Sequence, residues 1–370
     1  MNPQPLFCSN DACPSRGCTQ PGNIVVHDSL KQRYRCKTCG KTFTARKGTV
    51  LYRLQTQEAT VLLVLALLAY GCPLQAIVRA FGFDERTVAR WQKKAGQHCQ
   101  GVHERLVQDQ PRDLGFVQAD ELRVKLQKRL IVWMALAIQV STRLWLGGVI
   151  SVSRDKTLMA RLVAKVKACA LYGPLLLVTD GLKSYVAAWQ KAFRTPVFTG
   201  KPGRPALLAW PEIVIGQVVK QYQKGHVVGV AHRLIQGSKA QLEALLPAGQ
   251  VLNTAYIERL NATFRQRLGS LVRRSRGLLR QTARLEAGMY LLGCVYNFCT
   301  PHQSLRIEQA DGRRKWVQRT PAMAAGLTDH LWTVAELLTS RVPPWPFVPP
   351  KRRGRPPKKQ PSQGLASAPT

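Results

Sequence analysis

Residues 175–181 read LLLVTDG, an apolar run that stops at Asp180. Apolar residues at successive positions mark a strand covered on both faces, since a half-exposed strand would alternate with polar residues. Such a strand belongs in the middle of a sheet, and an acid at its tip lies at the sheet's end. The chain carries 55 Lys and Arg against 20 Asp and Glu, so a carboxylate in that position spends a scarce group.

Working outward, residues 155–170 place Leu158, Leu162, Val163 and Val166 on one helical face. Upstream, GFVQADELRV (115–124), RLIVWMALAIQV (129–140) and TRLWLGGVISVS (142–153) have strand character and are joined by tight turns. Three strands able to pair as a meander, a helix and a buried strand predict a mixed sheet with helices packed on it, an α/β fold. Asp120 and Asp180 each close a stretch of apolar strand in that sheet. If the strands are neighbours, the two carboxylates meet and repel, and one takes up a proton unless a cation sits between them. Hard divalent ions with oxygen ligands, Mg²⁺ or Mn²⁺, meet that need and can activate a water or hydroxyl against a phosphodiester.

The best third ligand is Glu258. Ile257, Leu260, Phe264, Leu268 and Leu271 form one apolar helical stripe, and Glu258, Asn261 and Arg265 lie beside it. From Arg259 to Arg280 there are seven arginines and no acid, a concentration that calls for an anionic partner. Glu212 is the rival third ligand, in a Trp-Pro-Glu context without a helical frame. Glu121 adjoins Asp120, but strand alternation sends the two to opposite faces. His302 reads equally as a DNA contact, a metal-site neighbour or a structural residue.

The formal net charge is +35. That points to a polyanionic partner: nucleic acid first, with an anionic membrane surface or a ribosomal role giving the same charge. The longest apolar stretch, VLLVLALLAY at 61–70, is about half the roughly 20 residues of a bilayer span, so no membrane is expected. MNPQPLFCSN lacks a signal peptide's basic and apolar regions, which predicts a cytoplasmic, nucleoid-associated protein with reduced cysteines.

Cys8 and Cys13 pair with Cys36 and Cys39 as four thiolate ligands for one Zn²⁺, with Cys18 and His27 as competing ligands. Residues 73–96 have the layout of two helices around a short glycine-containing turn. Asp84 is placed as N-cap, Ile77, Val78 and Phe81 pack against Val88 and Trp91, and Thr87, Arg90, Lys93 and Lys94 face a DNA groove. Beyond about residue 343 the chain is Pro-rich and basic, and disorder is expected. Its KRRGRPPKK (351–359) resembles an AT-hook, with Arg353 and Arg355 lying along a minor groove.

VQADEL, LLVTDG and NTAYIERLNATFRQRL together resemble the three catalytic blocks of DDE transposases, most of all the insertion-sequence-one family of bacteria. That family also begins with a zinc ribbon ending in a segment like RYRCKTCGKTF, followed by a helix-turn-helix. The resemblance covers roughly residues 8 to 308, and YNFCTPHQSLR (296–306) is similar to a tail block of related transposases. It implies a ribonuclease H-like fold with Asp120, Asp180 and Glu258 as the Mg²⁺-binding triad, Asn261 as the polar residue one turn on, and strand cleavage and transfer at element ends. The expected organisation is a zinc ribbon over 1–50, a helix-turn-helix domain over 51–110, a catalytic domain over 111–340 and a basic tail over 341–370. The partners are element-end and target double-stranded DNA, engaged by a homodimer or larger assembly. Two departures stand out: KPGRPALLAWPE (201–212) reads as an inserted loop, and the basic tail lies outside the family's core. A zinc-ribbon and helix-turn-helix regulator without catalysis, or a nuclease on the same fold, are the rival functions.

Overall fold

The computed structural model describes residues 6–19, 22–127, 130–198, 200, 203–247, 249–271, 281–309 and 315–346. The expected AT-hook with Arg353 and Arg355, and the arginines from 273 to 280, lie outside the described residues. The described residues up to 45, with 343–346, form one compact unit, and 46–342 form another.

In the first unit, β1 (Ile24–Asp28), β2 (Arg33–Cys36) and β3 (Thr42–Thr44) make an antiparallel sheet in which Tyr34 faces Phe43. The two rings lie 6.1 Å apart. Gly40 adopts a positive φ of 68° and its N–H donates to the Cys36 carbonyl, closing a tight turn beneath Cys39. The buried cluster consists of Cys8, Cys13 and Cys36. So few apolar groups hold a module of this size together only with help from a staple.

The second unit opens with α1 (Glu58–Ala69), the buried helix expected from 61–70, whose Val61, Val64, Leu65 and Leu68 enter the core. Next, α2 (Leu74–Phe81) ends at Gly82, which turns the chain with φ 69°. Asp84 then caps α3 (Glu85–His103), its carboxylate accepting from the N–H groups of Arg86 at 2.8 Å and Thr87 at 3.2 Å. Ile77, Val88 and Trp91 are buried as expected, but Phe81 is exposed. It is the last residue of α2, and the reversal at Gly82 brings Phe83 instead against Trp91, edge-on at 5.1 Å.

Six strands form the central sheet, in the order β11-β10-β7-β4-β5-β6. β4 (Gly115–Lys125), β5 (Ile131–Gln139) and β6 (Trp145–Ser151) are the expected antiparallel meander. α4 (Lys156–Cys169) follows with Leu158, Leu162, Val163 and Val166 all buried. β7 (Leu175–Thr179) is buried at every position and runs parallel to β4 on one side and β10 on the other. Beyond it come α5 (Lys183–Ala192), β8 (Arg194–Val197), β9 (Ala206–Ala209), β10 (Ile213–Gln223), β11 (His226–Gln236), α6 (Lys239–Leu245) and α7 (Ala255–Arg267). α8 (Thr282–Cys294), β12 (His302–Glu308), β13 (Trp316–Arg319), α9 (Pro321–Ala324) and α10 (Val334–Thr339) complete the unit.

The segment expected to be an inserted loop differs: its residues 206–209 are β9, paired with β8 from Arg194↔Ala209 to Val197↔Ala206. The long β10–β11 hairpin turns at Lys224 and Gly225, both with positive φ (47° and 81°), the backbone a two-residue hairpin turn requires. Strand alternation divides the sheet's faces. Phe116, Leu176, Val178, Val214 and Val218 share a cluster with Leu252 and with Leu242 and Leu245 of α6. Val117, Ala119, Leu177 and Ile215 belong to the larger core with α4 and with Tyr185 and Trp189 of α5. Among the described residues, no helix is long and apolar enough to cross a membrane.

α3 packs along α8, and a side chain on Gly96 would land within the backbone of Ala287. Gly96→Val should therefore destabilise this unit by on the order of 3 kcal/mol, read as a lower denaturant midpoint; an unchanged midpoint would show that the helices separate freely.

His103 ends α3 at 0% exposure, with its ring 4.5 Å from Trp145 and 5.8 Å from Tyr290. Burial, then the nearby Lys165, lowers its pKa from 6.5 to about 3. Between those values the unfolded chain binds a proton that the folded chain refuses, so stability is lost as pH falls through this window. The loss from this group is about 1.4 kcal/mol per pH unit. His103→Gln should flatten the acid limb by one proton, measurable by urea unfolding between pH 6 and 4; an identical slope would refute the assignment.

Candidate active site and cysteine centre

The site begins with strand register. β4 and β7 are parallel neighbours, with Gln118 opposite Val178, so Asp120, which sits midway along β4 rather than closing it, comes level with Asp180 just past the end of β7. Asp180 lies just past β7, where its Oδ1 accepts from the Leu182 N–H at 3.0 Å. It is thus a turn former, as an Asp before a glycine commonly is, while its Oδ2 faces Arg154 Nη2 at 3.4 Å. Asp120 Oδ2 accepts from Asn261 Nδ2 of α7 at 2.7 Å.

α7 is fixed to the sheet by Gln118, two residues before Asp120. Its Oε1 accepts from the N–H groups of Tyr256 (3.1 Å) and Ile257 (3.0 Å), and its Nε2 donates to the Asn253 carbonyl at 2.8 Å. The cap residue Thr254 leaves those helical N–H groups uncapped by its own side chain, so Gln118 supplies the missing acceptor. Thr254 instead donates to Glu258 Oε1 at 2.8 Å, which also accepts from Lys220 Nζ of β10 at 2.7 Å. Asp120, Asp180 and Glu258 line one cavity of about 490 Å³ together with Arg154 and Lys220.

Glu121 corrects the sequence reading. Alternation does separate it from Asp120: Asp120 meets α7, whereas Glu121 takes both Nε and Nη2 of Arg154 and lies beside Tyr185 of α5. Yet carboxylate oxygens of Asp120, Glu121 and Asp180 all lie within 4.8 Å of one another. β7 stops at Thr179 while β4 runs on to Lys125, so beside Asp120 and Glu121 the sheet has no β7 neighbour and side chains from both faces can converge on Asp180. Glu258 stands outside that tighter group, held by Lys220. Glu212 lies at the far end of the sheet, where its carbonyl accepts from the Leu175 N–H.

Burial raises the pKa of Asp120 from 3.8 to about 6, reinforced by Asp180 and Glu258. Glu121 is also raised, by burial and by Asp180, against the pull of Arg154. Burial opposes ionisation of Glu258, but the hydrogen bonds from Lys220 and Thr254 prevail and lower its pKa. The acids therefore crowd at a cost that Arg154 and Lys220 offset in part. Oxygen donors converging in this way suit a hard divalent cation such as Mg²⁺ or Mn²⁺.

The other expected contact residues divide. Arg90, Lys93 and Arg265 are exposed and Thr87 is half-buried. Lys94 does not face outward: its Nζ donates to the Tyr52 carbonyl, and burial lowers its pKa. Asn261 is 3% exposed, so it orients Asp120 and is not open to DNA. His302 is half-buried, its ring 4.7 Å from Tyr296.

In the first unit, sulfurs of Cys8, Cys13, Cys36 and Cys39 lie within 4.8 Å of one another. Cys8–Cys39 is 3.6 Å and Cys13–Cys36 is 3.9 Å. Tetrahedral zinc with Zn–S bonds of about 2.3 Å requires sulfurs roughly 3.8 Å apart, so the four fit that ion. Cys18 and His27 fall outside the group.

Sequence reasoning missed Arg154, Lys220 and Gln118. A usable signal existed for Lys220: apolar runs flank the Lys224–Gly225 turn, which marks a hairpin, and period-two counting then puts Lys220 on the face of Val218. Arg154 and Gln118 carry no comparable pattern. No protein-family model matches the sequence, and no curated protein matches it significantly.

Proposed function

We propose that this chain is a DNA transposase of the insertion-sequence-one type, which cuts DNA at element ends and joins the freed 3′ hydroxyls to target DNA. The observation that carries this reading is the placement of Asp120, Asp180 and Glu258, one from each resembling block, around a single cavity. An antiparallel meander extended by two parallel strands supports reading the sheet as ribonuclease H-like. The four-cysteine group supports a zinc ribbon, and α2 and α3 with Arg90 and Lys93 support a helix-turn-helix.

Asp120, Asp180 and Glu258 would hold the divalent ions, with Glu121 as a further donor close to the first two. Bound there, Mg²⁺ supplies Lewis-acid stabilisation of charge on the attacking and leaving oxygens. In the first reaction a water oxygen bonds to phosphorus, the P–O3′ bond breaks and the 3′ oxygen takes a proton. In the second, the oxygen of that 3′ hydroxyl gives up its proton and bonds to a target phosphorus, the P–O3′ bond there breaks, and the leaving 3′ oxygen takes a proton. Asn261 holds the Asp120 carboxylate, Gln118 fixes α7, and basic side chains bind phosphates.

The test uses the full chain, Mg²⁺ and a duplex carrying inverted repeats that flank the reading frame. A transposase yields cleaved ends and joined products. Cleavage without joining would indicate a nuclease, and binding without cleavage would indicate the regulator.

A further inference from the structure

Residues 296–306, YNFCTPHQSLR, contribute to two different parts of the fold. Tyr296 and Asn297 are buried, and Asn297 clasps Trp145, accepting from its N–H and donating to its carbonyl at 2.9 Å each. The later residues leave the core. β12 and β13 pair at His302↔Arg319 and next at Ile307↔Val317. Residues 303–306 therefore stand opposite Gln318 alone, a bulge that opens the hairpin.

A cavity of about 570 Å³ lies there, with His302, Gln303, Arg306, Gln309, Trp316 and Gln318 among its walls. Trp316 is 38% exposed, and the Arg306 guanidinium sits 4.2 Å from its ring centroid. The glutamines offer amide donors and acceptors. His302 Nε2 is buried without a hydrogen-bond partner. Burial, with Arg143, Arg267 and Arg259 around it, lowers the pKa of His302 to about 4, so the ring is neutral at physiological pH.

The exposed part of the Trp316 ring, the glutamine amide edges and the Arg306 guanidinium suit a planar heterocycle with hydrogen-bonding edges and an attached phosphate. A base within an intact duplex shows neither face, because its neighbours cover both. We infer that this cavity binds one unpaired, unstacked nucleotide of the DNA strand. The inference rests on the proposed DNA-handling function and deepens it. Arg259 follows Glu258 on α7, so one helix links this cavity's surroundings to the acidic site.

The test compares the full chain's binding to a blunt duplex and to the same duplex with a three-nucleotide overhang carrying 2-aminopurine. Affinity is read by anisotropy of a distal dye. The overhang should tighten binding about fivefold or more, and stacking on Trp316 should quench 2-aminopurine emission. Both effects should vanish in Trp316→Leu and weaken in Gln318→Ala, with blunt-duplex affinity unchanged. Equal binding with unchanged emission would overturn the nucleotide site and leave the transposase reading standing. Failure to bind any duplex would overturn both. A stronger response from a ribonucleotide overhang would overturn DNA as the source.

Discussion

Asp180→Asn should reduce Mg²⁺-dependent cleavage of an element-end duplex by at least about a thousandfold, while binding to that duplex stays within severalfold of the native value. The substitution keeps the side chain's shape and an oxygen able to accept from the Leu182 N–H, so the turn after β7 should survive. It removes a charge that a divalent cation needs. Loss of a group acting on developing charge costs about 10²–10³ in rate, and loss of a metal ligand adds weakened metal occupancy. Asp120→Asn and Glu258→Gln should behave alike. Parallel measurements of Mn²⁺ affinity by calorimetry would separate lost metal from lost chemistry. Cleavage retained by the Asp180 variant would end the site assignment. Glu121→Gln is the informative neighbour: a drop in Mn²⁺ affinity comparable to that of Asp120→Asn would make it a ligand, whereas a small one would leave it as the anchor of Arg154.

Zinc removal should produce the second large effect. The first unit's buried cluster is made of its cysteines, and zinc binding to such modules contributes on the order of 10 kcal/mol to folding. Protein purified without chelator should contain about one zinc per chain. Cys36→Ser, or a strong chelator, should unfold residues up to 45 while the second unit keeps its own unfolding transition. Amide exchange resolved along the chain would read this directly: protection lost at Tyr34 and Phe43 and retained along β4 and β7. Metal analysis that found no zinc, or unchanged protection after chelation, would refute the site.

The meander, α4 and β7 are legible in the sequence because each obeys one period strictly. Leu158, Leu162, Val163 and Val166 repeat along a helix, and β7 is apolar from Leu175 to Val178. The convergence of Asp120 with Asp180 follows from making their strands neighbours, although only Asp180 lies at a strand's end and Asp120 sits midway along β4. Alternation misjudges Glu121 because it fixes which face a side chain leaves, not how far it reaches where a neighbouring strand stops. Helical spacing misplaces Phe81 because its contact depends on where α2 stops, a choice made at Gly82. The same spacing gives Lys94 to solvent, since it does not reveal the neighbouring segment whose Tyr52 carbonyl accepts from it. Arg154 and Lys220 come from distant parts of the chain, and only tertiary folding brings them to the acids.

Gln118 grips α7 itself through main-chain groups alone, the N–H of Tyr256 and the N–H of Ile257, and reaches the Asn253 carbonyl just before it. Because every residue but proline offers the same main-chain handles, the attachment is indifferent to which side chains α7 displays on its solvent side. The exposed Arg259 and Arg265 are free to drift, and under the proposed function variants with new end preferences would evolve without disturbing the aim of Glu258.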